Sequence, residues 1–246
     1  LFIGVRVAGE VRVQDYRNVW VFAEQRDGVL TKVSHQLLGK ARELADTLGV
    51  KAEAVLLGHQ VEPLAQELVA DGADVVYLAE DPLLERYRTD VYAKVLSGLI
   101  QSKKPEIVLF GATTVGRDLA PRISQRIYTG LTADCTGLDI DESERLLLQT
   151  RPAFGGNIMA TILCARHRPQ MATVRPGVMR APQPDKTRQG GVERVPVNIS
   201  EQDLDIKILH VVKEARRRVN LEDAKIIVSG GRGLGGPEGF KVIEQL

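Results

Sequence analysis

Two arginines stand in patterns that could do redox or phosphate chemistry. Arg232 lies in Ser229-Gly230-Gly231-Arg232-Gly233-Leu234-Gly235-Gly236, behind the apolar run Ile226-Ile227-Val228 and ahead of Pro237-Glu238-Gly239-Phe240. The pattern predicts a buried strand, a glycine-rich turn and the start of a helix, the arrangement by which α/β proteins bring backbone amides and a helix N-terminus up to a phosphate. The glycines permit close backbone approach, and Arg232 adds a fixed cation with forked donors for a pyrophosphate or a flavin carbonyl. The register does not meet the GxGxxG rule, and no Gly-Lys-Ser/Thr ending marks a P-loop. A tight structural turn with an exposed arginine accounts for the same residues.

Arg151 lies in Thr150-Arg151-Pro152-Ala153-Phe154-Gly155-Gly156-Asn157, a turn between two predicted strands. An arginine held there can hydrogen-bond a flavin ring or stabilise its reduced anion, because fixed positive charge favours the electron-rich state. A hairpin with a surface arginine has the same sequence. A third stretch, Phe110-Gly111-Ala112-Thr113-Thr114-Val115-Gly116-Arg117-Asp118, falls at the carboxyl end of a predicted strand. Its Thr hydroxyls, amides and helix N-terminus suit a phosphate. Val115, Leu119, Ile123 and Ile127 face the core, which leaves Arg117, Arg122 and Arg126 to other faces as surface or subunit-interface groups. Asp134 with Cys135, and His35, His59, His167 and His210, form no Ser/His/Asp or Cys/His spacing. Cys135 and Cys164 have no metal-ligand spacing and read as small buried residues of a reducing cytoplasm.

These residues need a scaffold, and the hydrophobic pattern supplies one. Asn18 to Ala23 reads as a buried strand, and Val33, Leu37, Ala41, Leu44 and Leu48 form the stripe of a helix that Gly49 ends. The unit repeats: strands at Ala52 to Leu57, Asp74 to Ala79 and Glu106 to Gly111 each lead to a helix, around Pro63 to Ala70, Asp90 to Gln101 and Gly116 to Tyr128. That alternation predicts a doubly wound α/β domain with a mostly parallel sheet. From Thr132 the pattern becomes strands and turns, at Ala133 to Ile140, Leu146 to Thr150, Asn157 to Cys164 and Gln170 to Val174, read as an antiparallel extension of the sheet. Pro176 to Gly191 is a loop, Val195 to Val212 holds two apolar alternations, and Lys213 to Arg218 is a basic run suited to a solvated hinge.

Composition narrows the function classes. The 246 residues are 43% hydrophobic, enough for one full domain and part of a second. The net charge of +1 argues against a general nucleic-acid or membrane-surface binder, which needs a basic excess. No apolar run approaches the roughly 18 residues of a membrane span, and no signal peptide is visible. Starting without methionine and stopping in a predicted helix, the sequence reads as a cytoplasmic portion of something longer.

Val19-Trp20-Val21-Phe22-Ala23-Glu24, Gly111 to Arg122, Gly130-Leu131-Thr132-Ala133-Asp134-Cys135, Thr150 to Asn157 and Val228 to Leu234 together resemble the alpha subunit of electron transfer flavoproteins, in order and spacing from about residue 18 onward. The resemblance implies a heterodimer with a homologous beta subunit. It implies an N-terminal extension over 1–17, an α/β domain of adenine-nucleotide-hydrolase-like fold over 18–212, a linker over 213–220, and over 221–246 the start of a flavodoxin-like FAD domain. The family's later flavin motifs do not occur, so the alpha FAD would not be held by this stretch alone.

By that resemblance Arg232 contacts the alpha FAD, with Gly231 and Ser229 as neighbours. The Arg-Pro-Ala-Phe-Gly-Gly-Asn form of the turn is similar to the electron-bifurcating subgroup, whose beta subunit holds a second FAD where ordinary carriers hold AMP. Arg151, with Phe154, would then approach the partner's flavin and help set its potential, the nearest thing to a catalytic role in a carrier subunit. The implied chemistry passes electrons from NADH to ferredoxin or flavodoxin and, through a C-terminal domain that swings, to an acyl-CoA dehydrogenase-like flavoenzyme.

Overall fold

The computed structural model describes residues 13–212, 224 and 226–246. They fall into two compact units that divide between Ile206 and Lys207. The first is built on a seven-stranded sheet. Its strands are β1 (Val19–Ala23), β4 (Ala52–Gly58), β5 (Val75–Glu80), β6 (Ile107–Gly111), β7 (Leu131–Cys135), β11 (Gln170–Val174) and β12 (Gly191–Arg194), in the spatial order β12-β5-β4-β1-β6-β11-β7. Every neighbouring pair in it is parallel.

The strands are apolar on both faces because both faces are covered. Val19, Val21, Ala54, Leu56, Leu109 and Ala172 point to one side, where Val33, Leu37, Ala41 and Leu44 of α1 (Lys32–Leu48) and Leu64 and Leu68 of α2 (Pro63–Ala70) meet them. Trp20, Phe22, Val55, Val108, Phe110 and Met171 point to the other, against Leu96 and Ile100 of α3 (Thr89–Lys103) and Leu119 and Ile123 of α4 (Thr114–Ile127). Each helix closely matches the predicted one. Val195, Val197, Ile199 and Leu204, from the segment of apolar alternation, pack on the second face.

Strand order reverses at β1. From there the chain builds outward through β4 and β5, then crosses back to place β6 on the other side of β1. One buried carboxylate fastens this centre: Glu53 of β4 accepts from Trp20 Nε1 at 2.6 Å and from Asn18 Nδ2 at 3.0 Å. Burial pushes its pKa above the ordinary glutamate value, and the two donors moderate the rise.

The predicted antiparallel segments divide between two sheets. Leu131–Cys135 and Gln170–Val174 enter the main sheet as parallel neighbours, β7 and β11. Between them β8 (Gly137–Asp141), β9 (Leu146–Ala153) and β10 (Ile158–Ile162) form a separate three-stranded antiparallel sheet. Parallel neighbours need a long crossover, and this small sheet lies within it. Leu138 and Leu147 seat its inner face in the main core. A further short pair, β2 (Gln25–Arg26) and β3 (Val29–Leu30), follows β1.

The second unit, Lys207–Leu246, corrects one expectation. Among its described residues there is no strand. Ile226, Ile227 and Val228, read as a buried strand, are exposed at 85%, 55% and 49%. An apolar run becomes a strand only with a neighbour to pair with, and these residues have no such partner here. Arg232–Leu234 and Pro237–Gly239 form 3-10 turns, and α5 (Phe240–Glu244) continues as the predicted helix. The basic run Lys213 to Arg218 and the proposed linker lie outside the described residues, as does most of the N-terminal extension.

Gly116 gives the fold a direct test. A Cβ there would lie 1.8 Å from the Gly111 carbonyl oxygen, because α4 starts hard against the end of β6. Gly116→Ala is expected to cost about 3 kcal/mol through forced displacement of backbone, read as a lower urea midpoint at unchanged m; an unchanged midpoint contradicts this packing.

Candidate functional site

In open α/β sheets ligands gather at the carboxyl ends of strands where strand order reverses. Here that place lies beyond β1 and β6, and a cleft of about 250 Å³ opens beside it, lined by Phe22, Glu24, Arg26, Tyr87, Tyr92 and Val115 among others. The turn expected to receive phosphate is already engaged by the chain itself. Thr113 caps α4 by accepting from Gly116 N at 3.0 Å, and its hydroxyl donates to Glu24 Oε2 at 2.5 Å. Glu24 is buried, so a carboxylate sits beside the positive end of the α4 dipole, where a phosphate would otherwise bind.

The other sequence motifs meet elsewhere, at the carboxyl end of β7 and β11. Asp134 of Gly130-Leu131-Thr132-Ala133-Asp134-Cys135 accepts from Arg175 Nη2 at 2.6 Å and Nε at 3.3 Å, and from Arg117 Nη2 at 3.4 Å. Arg117 comes from the first turn of α4 and is also held by Nε donating to Ala112 O at 2.8 Å. Thr136 N donates to Thr150 O at 2.8 Å, which lays the start of β8 beside the middle of β9 and brings Arg151 into the same neighbourhood. The Asp134 carboxyl is held below the ordinary aspartate value, first by the Arg175 hydrogen bond and then by the charges of Arg175, Arg117 and Arg151. Two guanidinium groups thus bind one carboxylate, and the charge of a third, Arg151, is felt there. Arg117 and Asp134 had looked unrelated because 17 residues separate them, and Arg175, 41 residues from Asp134, carried no motif. Only the fold brings them together.

Arg151 itself is half-buried on β9, directly across from Ala160 of β10. Phe154, at the tip of the hairpin, is 83% exposed. Ile158, Met159, Ile162 and Leu163 add further exposed apolar side chains along β10 and beyond, on both faces of the strand. Cys135 is buried, and burial pushes its thiol up to about 11, which leaves it protonated and inert at neutral pH. Among the described residues no group of His, Cys, Asp and Glu could hold a metal, and no helix is long and apolar enough to cross a membrane.

In the second unit Ser229, Gly231 and Arg232 are all exposed. Leu234 packs so tightly on Gly230 and Gly239 that a Cβ at either would fall within 2.1 Å and 2.3 Å of it. Those two glycines are structural. A Cβ at Gly231 or Gly233 would meet nothing within 4 Å, and neither residue has a left-handed φ. Among the described residues, nothing packs where a side chain at either position would stand.

The model of the electron transfer flavoprotein domain matches residues 19–200. This chain belongs to the electron transfer flavoprotein family. It is 58% identical over 234 residues to the electron transfer flavoprotein subunit alpha of Thermoanaerobacterium thermosaccharolyticum, covering 95% of this chain and 71% of the relative. It is 50% identical to the protein FixB of Clostridium saccharobutylicum, covering 96% and 70% of the two chains. With the acryloyl-CoA reductase electron transfer subunit beta of Anaerotignum propionicum it shares 44%, covering 90% and 67%. The alpha-subunit resemblance therefore holds over nearly the whole chain. Electron transfer flavoprotein alpha subunits pair with a beta subunit.

Asp134 makes the cluster measurable. With its folded pKa depressed, its contribution to stability is present above the unfolded value and lost as pH falls through the folded one. Carboxyl NMR should find Asp134 titrating below the ordinary aspartate value, and Arg175→Gln should bring it back up. An unmoved titration in that variant contradicts the pairing.

Proposed function

We propose that this chain is the alpha side of an electron-bifurcating electron transfer flavoprotein, with its arginine cluster turned to a flavin carried by the beta subunit. The observation that carries the reading is the convergence of Arg117 and Arg175 on the single carboxylate of Asp134, with Arg151 close enough for its charge to be felt there, at the base of a hairpin whose apolar tip is exposed. Fixed cations beside a flavin favour its electron-rich state, which is what a bifurcating site must adjust. The apolar surface from Phe154 to Leu163 supplies area that a partner subunit can bury, and the arginines at its edge supply orientation.

FAD, when bound, supplies the electron-carrying chemistry; the residues of this chain supply its setting. Arg232, Gly231 and Ser229 would hold the alpha FAD, in a domain proposed to begin near residue 221 after a linker over 213–220. The open space at Gly231 and Gly233 supports this, because it lets a flat ligand lie against the backbone. Arg151 and Phe154 would face the partner's flavin. The name of the Anaerotignum relative supports an acyl-CoA-handling flavoenzyme as electron partner, in a complex that takes electrons from NADH and also reduces ferredoxin or flavodoxin. The Glu24 carboxylate at the start of α4 supports placing the second cofactor on the beta subunit rather than in this domain's own switch-point crevice.

Flavin and nucleotide analysis of the purified heterodimer tests the reading. Two FAD per heterodimer is the expected result, and one FAD with one AMP overturns it in favour of a plain carrier.

A further inference from the structure

We propose that Asp134 is a positioning residue of the redox site: it gathers Arg117 and Arg175 onto one carboxylate and thereby sets the net positive charge that the cluster, with Arg151, presents to the partner's flavin. The inference rests on the reading above, in which that flavin lies against this surface.

Asp134 sits at an unusual backbone position. Its φ is +61°, in the left-handed region, where most residues with a Cβ are strained and Asp and Asn are the better tolerated. The pairing of β7 with β11 slips here, with a shift between Ala172 and Val174, and such irregularities re-aim side chains at the ends of strands. The backbone is fixed on both sides of the slip. Asp134 N donates to the buried hydroxyl of Thr173 at 2.9 Å, and Arg175 N donates to Cys135 O at 2.9 Å. A strained, hydrogen-bonded residue thus aims its carboxylate outward, between two arginines from different elements.

Each oxygen of that carboxylate is used. Oδ2 takes Arg175 Nη2, and Oδ1 takes Arg175 Nε and Arg117 Nη2. The paired Arg175 contact is the bidentate form that fixes a guanidinium plane. Among the described residues no carboxylate forms an ion pair with Arg151, so the cluster carries two net positive charges, and its uncommitted donors are those of Arg151 and the far ends of Arg117 and Arg175. Asp134 therefore does two things. It orders two otherwise flexible cations, and it cancels one of three charges.

The two contributions separate experimentally because charge can be altered while the left-handed backbone is kept. D134N is tolerated at a positive φ and raises the net charge by one unit, D134N with R175Q restores it, and R175Q lowers it by one. The experiment is a spectroelectrochemical titration of the purified heterodimer, with FAD and AMP counted in the same preparation. With two FAD present, one of the two flavin couples should move to higher potential in D134N, to lower potential in R175Q, and back toward wild type in the double variant, while the other couple stays fixed. The shifts should shrink with added salt, since Arg117 and Arg175 are solvent-exposed. Two FAD with neither couple moved, or with both moved alike, overturns the role of Asp134 and leaves the bifurcating reading standing. One FAD with one AMP overturns both.

Discussion

A parallel strand cannot reach its neighbour through a tight turn, and this constraint shapes the site. β7 and β11 lie side by side in the same direction, so the chain must travel from the carboxyl end of one to the amino end of the other. From β1 to β4, β4 to β5 and β5 to β6 a helix makes such a journey. Here the connection is largely a three-stranded antiparallel sheet, anchored through Leu138 and Leu147 and projecting beyond the core at Phe154 and β10. Because the excursion begins immediately after Asp134 and Cys135, β9 passes back beside them. Because it ends in β11, Arg175 emerges next to Asp134 on the neighbouring strand. One topological requirement thus assembles a cation cluster and puts an apolar hairpin at its edge.

The rest of the domain makes that end of the sheet rigid. Both faces are filled by side chains from four helices, and Gly116 lets α4 begin in contact with the last carbonyl of β6, which fixes where Arg117 leaves the helix. The same helix start is occupied by the Glu24 carboxylate through Thr113. A fold whose switch point commonly receives a nucleotide has here an internal anion, and the excess positive charge gathers beyond it, at the carboxyl ends of β11 and β7. The division suits a subunit that shapes the surroundings of a cofactor carried by its partner.

Much of this was legible in the sequence where a single element speaks for itself. The stripe from Val33 to Leu48 and the stop at Gly49 fix α1, whose last residue and left-handed cap fall where the pattern places them. β1, β4, β5 and β6 are readable as short apolar runs between helices. Direction is not readable. An alternation such as Gln170 to Val174 looks the same whether its neighbour runs parallel or antiparallel, so two strands of the main sheet were expected in an antiparallel extension. The run Ile226 to Val228 shows the opposite failure: apolar, β-branched residues promise a strand, but a strand exists only when another strand pairs with it. The turns holding Arg151 and Arg232 stand out through their glycines. The link from Asp134 to Arg117 and Arg175 does not, because its spacing follows from sheet order and not from any local period.

The central claim is that the hairpin and the arginine cluster together form the partner-facing surface of this alpha subunit. Hydrogen–deuterium exchange on the free chain and on the heterodimer tests it most directly. The account predicts strong protection over residues 154–163 and at Arg151 on assembly, with the cleft around Phe22, Tyr87 and Tyr92 unchanged. Protection confined to that cleft, with the hairpin exchanging as freely as before, would contradict it.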